Sequence, residues 1–231
     1  MIEEPPLLTV RRPGRRPTEA QIAAFRDTQT GFVADALGGG QSLDAGICPL
    51  DFGGGASSVA GPALTADNRP GDVLATMAAL SFLQPGDVLI VATGGHQGCA
   101  AAGDRIAGMA QNAGAVAMIT DGPMRDLTGM AGVGLPVWCT GLTPASPYAK
   151  GPARVGLPVQ CGGQRIETGD IIVADADGVV VVPFDQIDDV IETLKHIRTI
   201  ERKLDAEVAE GRIEFPHIPS LLKSDQTKFV D

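Results

Sequence analysis

The sequence predicts an α/β fold, and three features of the 231-residue chain support this. The first is a parallel strand–helix–strand unit, in which the helical pattern "GDRIAGMAQNAGA" lies between the apolar runs "GDVLIVAT" and "AVAMIT". The second is a group of shorter apolar runs after "DGPMRD", separated by Gly and Pro, which is typical of a more antiparallel β layer. The third is a polar–apolar pattern from Asp185 to Gly211, which predicts one helix of roughly seven turns.

Further elements are predicted around this unit. Thr18 and Thr30 each precede an amphipathic stretch, as a hydroxyl N-cap does, so two short helices are expected to open the fold. The stretch "SSVAGPALTA" predicts a strand, and "GDVLATMAALSFL" predicts a helix capped by Asp72. The four shorter runs after "DGPMRD" are "LPVWCTG", "ARVGLPVQ", "DIIVAD" and "GVVVVP", each a predicted strand of the second layer.

The chain is expected to form one domain over residues 1–231, because its length supports one sizeable core. Residues 1–17 are expected to be an irregular N-terminal arm, and residues 184–231 a C-terminal helix and tail. The tail beyond Gly211 has too many prolines for an ordinary helix, so we expect it to pack along a surface or a neighbour.

The composition is that of a soluble globular protein, with 44% hydrophobic and 20% charged residues. A formal net charge of −10 argues against a nucleic-acid partner, which would need clustered Lys and Arg. Neither a signal-like leader nor an apolar run of about eighteen residues is present, so we expect a cytoplasmic protein without a membrane partner. The four cysteines are widely separated and form no CxxC motif, so we expect them to be small residues of the core: Cys48, Cys99, Cys139 and Cys161.

Three charged residues form the candidate site. Asp104 begins a predicted helix, and Arg125 with Asp126 follows the next strand, so the twenty residues between Asp104 and Arg125 span one helix and one strand. The end of that strand can return beside the start of that helix, which would bring the three side chains to one rim. Arginine suits a carboxylate or enolate oxygen, and carboxylates suit a hard divalent cation. An ordinary Arg125–Asp126 ion pair and an N-cap role for Asp104 remain open alternatives.

The glycine-rich stretch "ATGGHQGCAAAGD" is a second candidate, because backbone N–H groups between a strand and a helix can bind an anion. It does not fit the dinucleotide fingerprint, since His96 and Cys99 occupy glycine positions. No Walker sequence or G-x-S-x-G elbow is present either. His96 is interpreted either as a proton-transfer group or as an ordinary loop residue.

Glu201 is unusual because it falls on the apolar stripe of the predicted long helix. A carboxylate there needs a partner, which can be an intrahelical network with Arg198 and Asp205 or the edge of a subunit interface. The same stripe contains six apolar residues: Val190, Ile191, Leu194, Ile197, Leu204 and Val208.

Taken together, the stretches "GPALTADN", "GDVLIV", "GDRIA" with "AVAMITDGPMRD", and "DIIVADADGVVVVP" resemble the RraA-like family, which includes the 4-hydroxy-4-methyl-2-oxoglutarate aldolases. The similarity covers about Val33 to Gly211. Its most specific part is an Asp followed, after twenty residues, by Arg-Asp, and these residues are Asp104, Arg125 and Asp126. The long C-terminus with Glu201 resembles the aldolase branch rather than the shorter ribonuclease-regulator branch. One departure is His96-Gln97, in a loop where the family more usually has Asp-Gly after the strand.

The resemblance implies a fold and an activity. The fold would be an α/β/β/α sandwich similar to the swivelling phosphohistidine domain, assembled as a trimer or hexamer with sites between subunits. The activity would be that of a divalent-metal-dependent pyruvate aldolase acting on a 2-oxo acid such as 4-hydroxy-4-methyl-2-oxoglutarate or 4-carboxy-4-hydroxy-2-oxoadipate. Cleavage through a pyruvate enolate would also allow oxaloacetate to be decarboxylated.

The resemblance also implies roles for individual residues. Asp126 would hold Mg²⁺ or Mn²⁺, and Arg125 would bind the 2-oxo acid and stabilise its enolate. Asp104, with Glu201 from the neighbouring subunit, would orient or deprotonate a metal-bound water. Four consecutive backbone amides would take the substrate carboxylate: Gly103, Asp104, Arg105 and Ile106.

Two other functions stay open at this point. One is a non-catalytic binding protein like the ribonuclease-regulator branch, although a pure binding module has no need of convergent acids. The other is a metal-dependent lyase or hydratase that acts on a different hydroxy acid. A Schiff-base aldolase is disfavoured because no lysine stands in the charged cluster.

Overall fold

The structure is a computed structural model that describes residues 6–51 and 58–230. The β strands of this part are β1 (Leu8–Val10), β2 (Cys48–Pro49), β3 (Val59–Asp67), β4 (Val88–Ala92), β5 (Ala117–Thr120), β6 (Val137–Cys139), β7 (Ala153–Val155), β8 (Val159–Cys161), β9 (Gln164–Ile166), β10 (Ile171–Ala174) and β11 (Val179–Val182). Its α helices are α1 (Glu19–Ala23), α2 (Thr30–Ala36), α3 (Leu74–Ala79), α4 (Asp104–Asn112), α5 (Leu127–Val133), α6 (Ile187–Ala209) and α7 (Ile218–Leu222). The predicted mixed α/β fold with a long C-terminal helix is confirmed.

A parallel sheet forms the centre of the fold. Strands β3, β4, β5 and β6 pair in that order and all in parallel, with α3, α4 and α5 as the connections between them. All residues of β4 and β5 are buried, as expected for parallel strands covered on both faces. The predicted strand–helix–strand unit, β4–α4–β5, is therefore confirmed and lies between two others of the same kind.

Alternating side chains divide the interior into three apolar cores. In β4, Leu89 and Val91 pack towards α3, α4 and α5, while Val88 and Ile90 pack towards β8 to β11. Strand β10 alternates likewise: Ile172 faces the second core, whereas Ile171 and Val173 face a third core with α1, α2 and α6. Side chains of a strand point to opposite faces in turn, so the layers follow the order helix, sheet, sheet, helix.

The second β layer joins the first through one long strand. The first part of β3 pairs antiparallel with β10, and its second part, from Ala63 onwards, pairs in parallel with β4. Strand β10 also pairs antiparallel with β11. The predicted antiparallel layer is thus confirmed for "DIIVAD" and "GVVVVP", which are β10 and β11. The placement of "LPVWCTG" in this layer is wrong, because it forms β6, which pairs in parallel with β5 in the central sheet. The run "ARVGLPVQ" is two strands separated by a turn at Gly156, and the first of them, β7, pairs with β3 and β1 of the central sheet.

Several elements were not predicted. Helix α5 is short and contains two glycines, and strands β1, β2 and β9 have two or three residues each, so their sequence periodicity is weak. Strand β1 lies within the N-terminal arm and pairs in parallel with β7, while residues 11–17 are irregular as expected. Residues 1–5, and Ser57 of the predicted strand "SSVAGPALTA", lie outside the described residues.

Two predictions about local residues were wrong. The cap of α2 is Gln29 rather than Thr30, whose backbone N–H and hydroxyl both donate to Asp175. Of the four cysteines only Cys139 and Cys161 are buried, since Cys48 is exposed and Cys99 is half-buried.

The chain divides into two compact units, residues 1–194 and residues 195–231, and α6 begins in the first and ends in the second. Within the second unit Arg212 pairs with Glu207, and its guanidinium carbon lies 5.7 Å from the centre of the Phe215 ring. The tail contains one short helix, α7, with Pro219 near its start.

Among the described residues, no helix combines the length and apolarity that a bilayer span requires. The single-domain organisation stays a prediction.

Asp72 joins the start of α3 to a later loop. One carboxylate oxygen accepts the Leu74 N–H at 2.8 Å, and the other accepts the N–H groups of Lys150 and Gly151 at 2.6 and 2.9 Å. Burial alone would raise the pKa of Asp72, but these backbone hydrogen bonds outweigh it and lower the pKa. The expected cap of α3 is therefore Asp72 in function, although Val73 occupies the N-cap position.

We expect Asp72→Asn to lower the free energy of unfolding at pH 7 by about 1–3 kcal/mol, because an amide cannot accept all three hydrogen bonds. The folded-state pKa is lower than that of the unfolded chain, so this stabilisation is present above about pH 4 and is lost as the pH falls through the folded-state pKa. Urea unfolding of both proteins between pH 7 and pH 3 measures it. The difference between them should shrink at acid pH, and a constant difference would contradict the linkage. Asp177→Asn, at an exposed turn, is the matched control.

Candidate functional site

The candidate site is built on three loops that continue the parallel sheet beyond its strands. Ala102, Met124 and Leu142, which follow β4, β5 and β6, lie side by side in parallel bridges. The Met124 N–H donates to Gly141 at 2.8 Å, and the Met124 carbonyl accepts from Thr143 at 2.9 Å. Met124 is fully buried, so this short extension of the sheet is fixed at the carboxyl edge where side chains of several loops can converge.

Arg125 is held on both edges of its guanidinium. Its Nε lies 3.1 Å from Oδ2 of Asp126, and its Nη1 donates to Oγ of Ser146 at 2.6 Å. Its backbone N–H donates to Ala102 at 3.2 Å, which ties the residue to the segment before α4. The predicted Arg125–Asp126 ion pair is therefore present, and Ser146 adds a second anchor that fixes the direction of the guanidinium.

Asp126 has a strained backbone conformation. Its φ and ψ are 62° and 46°, in the left-handed region that residues other than glycine rarely adopt. It is the N-cap of α5, and its carbonyl accepts the Met130 N–H at 2.9 Å. Such strain costs of order 1–3 kcal/mol and is common at functional sites, so this outlier supports a role for the Asp126 side chain.

Glycine at position 103 allows the two segments to approach each other. A Cβ there would lie 2.5 Å from Oδ2 of Asp126, closer than real Cβ atoms come, and 3.0 Å from Cγ of Arg125, which is also a tight contact. Gly103 is also the N-cap of α4, so Asp104 is the first residue of the helix and not its N-cap. The alternative that Asp104 serves as an N-cap is therefore wrong.

A second close approach positions Asp104. A Cβ on Gly129 of α5 would lie 2.7 Å from Cβ of Asp104 and 2.8 Å from its Cγ. Oδ1 of Asp104 accepts the backbone N–H of Arg105 at 2.7 Å. One of the four amides expected to bind a substrate carboxylate is thus already used by Asp104 in this structure.

The predicted residues of the first unit meet in one pocket of about 230 Å³. Its lining includes all six of them: Gly103, Asp104, Arg105, Ile106, Arg125 and Asp126. Sequence reasoning missed the other wall, which Val73, Ala102, Ser146 and Pro147 form. No signal marked Ser146, because "TPASP" is an ordinary turn-like sequence.

The pocket suits a largely hydrated cation. Two carboxylates line it, Asp104 and Asp126, and no group of three or more metal-binding side chains occurs in the described part of the chain. Mg²⁺ is commonly held by one or two carboxylates while it keeps several waters, so the donor set fits that ion and not a cation enclosed entirely by protein.

Glu201 lies on α6, in the second compact unit, and is half-buried. On the same helix Val190 and Leu194 are buried, whereas Val208 is 57% exposed. The contribution of Glu201 to a site between subunits stays a prediction.

The remaining residues of the glycine-rich loop and of "DGPMRD" have a structural role. Asp121 is buried and accepts the Thr93 N–H and hydroxyl at 2.7 and 2.8 Å and the Gly95 N–H at 2.8 Å. The Gln97 side chain donates to the Asp121 carbonyl and accepts from Thr140 at 2.8 Å. His96 does not line the pocket with Arg125. Asp121 therefore holds the glycine-rich loop, while Arg125 and Asp126 face the pocket.

A larger cavity, of about 520 Å³, lies beside this loop. It contains the carboxylates of Asp44 and Asp121 but no cationic side chain. Burial raises the pKa of its one thiol, Cys161, so the reactive thiolate is disfavoured. Volume alone favours this cavity, but the smaller pocket has the converging charges that catalysis needs.

Comparison with known proteins identifies the family of this chain. The sequence matches the RraA-like family model, described as Aldolase/RraA, over residues 30–181. A protein of Halalkalibacterium halodurans, provisionally named a 4-hydroxy-4-methyl-2-oxoglutarate aldolase, is 36% identical over 174 residues, which are 75% of this chain and 81% of that protein.

Solved structures show the same fold. Streptomyces coelicolor RraAS2, described as an unusual member of the RNase ES inhibitor RraA protein family, has a TM-score of 0.69 at 28% identity, over 87% of this chain and 100% of that one. A Pseudomonas syringae pv. tomato protein has a TM-score of 0.75 at 23% identity, over 86% and 92% of the two chains. Because the family match covers more than half of its length, the chain belongs to the RraA-like family.

Proposed function

We propose that this protein is a divalent-metal-dependent pyruvate aldolase, a carbon–carbon lyase acting on 4-hydroxy-2-oxo acids. One observation carries the proposal: Arg125, Asp126 and Asp104 converge in one pocket at the start of α4. The name of the Halalkalibacterium relative supports the same class of reaction.

Binding of the 2-oxo acid uses Arg125 and the first turn of α4. The guanidinium presents a planar set of donors to the C1 carboxylate and the C2 carbonyl. The N-terminus of α4, a nine-residue helix, offers backbone amides and a positive dipole end to the carboxylate. Anchoring of Arg125 by Asp126 and Ser146 means that little side-chain entropy is lost when the substrate binds.

Cleavage of the C3–C4 bond leaves negative charge on the pyruvate enolate, which Arg125 is placed to stabilise. Asp126 would hold Mg²⁺ or Mn²⁺, and such a cation supplies Lewis-acid stabilisation of the same charge. Asp104, with Glu201 of the partner subunit, would orient or deprotonate a water that accepts the proton of the C4 hydroxyl and later returns one to the enolate. Decarboxylation of oxaloacetate passes through the same enolate and needs no base at C4.

The proposed function includes a substrate, a cellular location and an oligomeric state. The substrate is a 4-hydroxy-2-oxo dicarboxylic or tricarboxylic acid, such as 4-hydroxy-4-methyl-2-oxoglutarate or 4-carboxy-4-hydroxy-2-oxoadipate. The protein works in the cytoplasm as a homotrimer or homohexamer with sites between subunits. Its layered fold is similar to the swivelling phosphohistidine domain.

A second function is a regulatory binding protein without catalysis. The observation that favours it is the likeness to RraAS2, described as a member of a ribonuclease-inhibitor family. The two functions differ in their need for Arg125, since a pure binding protein would release no pyruvate with or without this residue.

We expect Arg125→Ala to lower kcat/KM for pyruvate release by roughly 10²–10³-fold, because one donor to the developing enolate charge is removed. The assay measures pyruvate from oxaloacetate and from 4-hydroxy-4-methyl-2-oxoglutarate with Mg²⁺, and EDTA should abolish release from both. Arg12→Ala, which removes an exposed arginine outside the pocket, is the charge control. Full activity of Arg125→Ala would contradict the mechanism, and full activity in EDTA would contradict the requirement for a divalent metal.

Two glycines of α5 provide a matched pair for the position of Asp104. Gly129→Ala should lower kcat by about tenfold or more, because its Cβ would displace the Asp104 carboxylate from the pocket. Gly132→Ala should leave kcat unchanged and stabilise the protein by about 0.4–1 kcal/mol, because a Cβ there meets no atom within 4 Å. Steady-state kinetics and thermal unfolding of both variants test this. Equal activity of the two would show that the placement of Asp104 is unimportant.

A further inference from the structure

Four residues with ionisable side chains line the pocket, and three of these side chains have partners there. Arg125 pairs with Asp126 and also donates to Ser146. Asp104 accepts the backbone N–H of Arg105. The fourth side chain is the guanidinium of Arg105, and no ion pair or side-chain hydrogen bond to it occurs within residues 6–51 and 58–230.

The place of Arg105 in the helix makes this observation informative. Arg105 is the second residue of α4, so its positive charge lies in the first turn, beside the positive end of the helix dipole. A cation there is unfavourable unless an anion compensates it, and the Asp104 carboxylate is directed to the Arg105 backbone and not to its guanidinium. Arg105 is exposed and is one of the residues that line the pocket, so an anionic ligand can reach its side chain.

Arg105 and Arg125 approach the same pocket from different segments. Arg125 follows β5 and is fixed by its neighbours, whereas Arg105 belongs to α4. Two guanidinium groups on separate elements can each bind one carboxylate of a molecule that carries two. A substrate with a single carboxylate would engage Arg125 and leave Arg105 without a partner.

We propose that Arg105 determines specificity by binding the distal carboxylate of the substrate. This inference rests on the proposed function and deepens it: the preferred substrates are 2-oxo acids with a second carboxylate at C5, not analogues that end in a methyl group. The side chain of Arg105 binds substrate and takes no part in bond cleavage.

Binding without turnover tests this independently of the aldolase reaction. 2-Oxoglutarate and 2-oxopentanoate differ only in a C5 carboxylate or methyl, and neither has the 4-hydroxyl group needed for cleavage. By calorimetry with Mg²⁺, the unaltered protein should bind 2-oxoglutarate roughly 10- to 100-fold more tightly, as expected for a hydrogen-bonded charge pair. Arg105→Leu should bind the two ligands equally, and Arg105→Lys should keep part of the preference because it retains charge without the planar fork. Arg12→Leu should keep all of it, since this exposed arginine lies outside the pocket.

Kinetics with a matched pair of substrates tests the same inference during turnover. Arg105→Leu should lower kcat/KM for 4-hydroxy-4-methyl-2-oxoglutarate roughly 10- to 100-fold, mainly through KM. Release of pyruvate from 4-hydroxy-4-methyl-2-oxopentanoate, which has a methyl group in place of the distal carboxylate, should be unchanged in this variant.

Each failure has a distinct meaning. A preference for 2-oxoglutarate that survives in Arg105→Leu, or equal binding of the two ligands by the unaltered protein, would overturn the role of Arg105. An equal fall in kcat/KM for both substrates would also overturn it, because the residue would then act on the fold or on the cleavage step. Absence of pyruvate release in the unaltered protein, together with an Arg105-dependent binding preference, would instead overturn the proposed function and leave the anion contact in place.

Discussion

The parallel pairing of β4 with β5 is the interaction on which the rest of the structure depends. The pairs from Val88–Ala117 to Val91–Thr120 are buried on both faces, so their backbone groups can be satisfied only by each other and by the neighbouring strands. Their side chains supply two of the three cores in alternation. The pairing continues past the strand ends as the Ala102–Met124 bridge, which determines where Arg125 lies.

The site follows from how closely these backbone segments approach each other. Gly103 and Gly129 lie where a Cβ would collide with Asp126 and Asp104, so two carboxylates and a guanidinium fit within one small pocket. Charges this near one another need fixed partners, and Arg125 has them in Asp126 and Ser146. The left-handed backbone of Asp126 is maintained because α5 begins directly after it.

The charges near the candidate site, and not the net charge of the chain, decide which ligand the site can bind. The chain carries a formal charge of −10, yet two arginines, Arg105 and Arg125, and the N-terminus of α4 lie at its candidate site. The charged side chains that line the larger cavity beside Asp121 are all carboxylates, and its glycine-rich loop is held by internal hydrogen bonds. Volume alone favours the larger cavity, whereas the charged side chains that line the two pockets favour the smaller one.

The sequence by itself determined the parallel unit, the antiparallel strands β10 and β11, the long helix and the meeting of Asp104 with Arg125 and Asp126. Each of these depends on strong periodicity or on the length of one helix and one strand, which are local properties of the chain. Only the tertiary structure decided that Gly103 and not Asp104 is the N-cap of α4, that Ser146 anchors Arg125, and that the Arg105 guanidinium has no partner among the described residues. These features depend on how segments distant in sequence pack together, and no local pattern records which atoms the packing of β4, β5 and β6 brings within hydrogen-bonding distance.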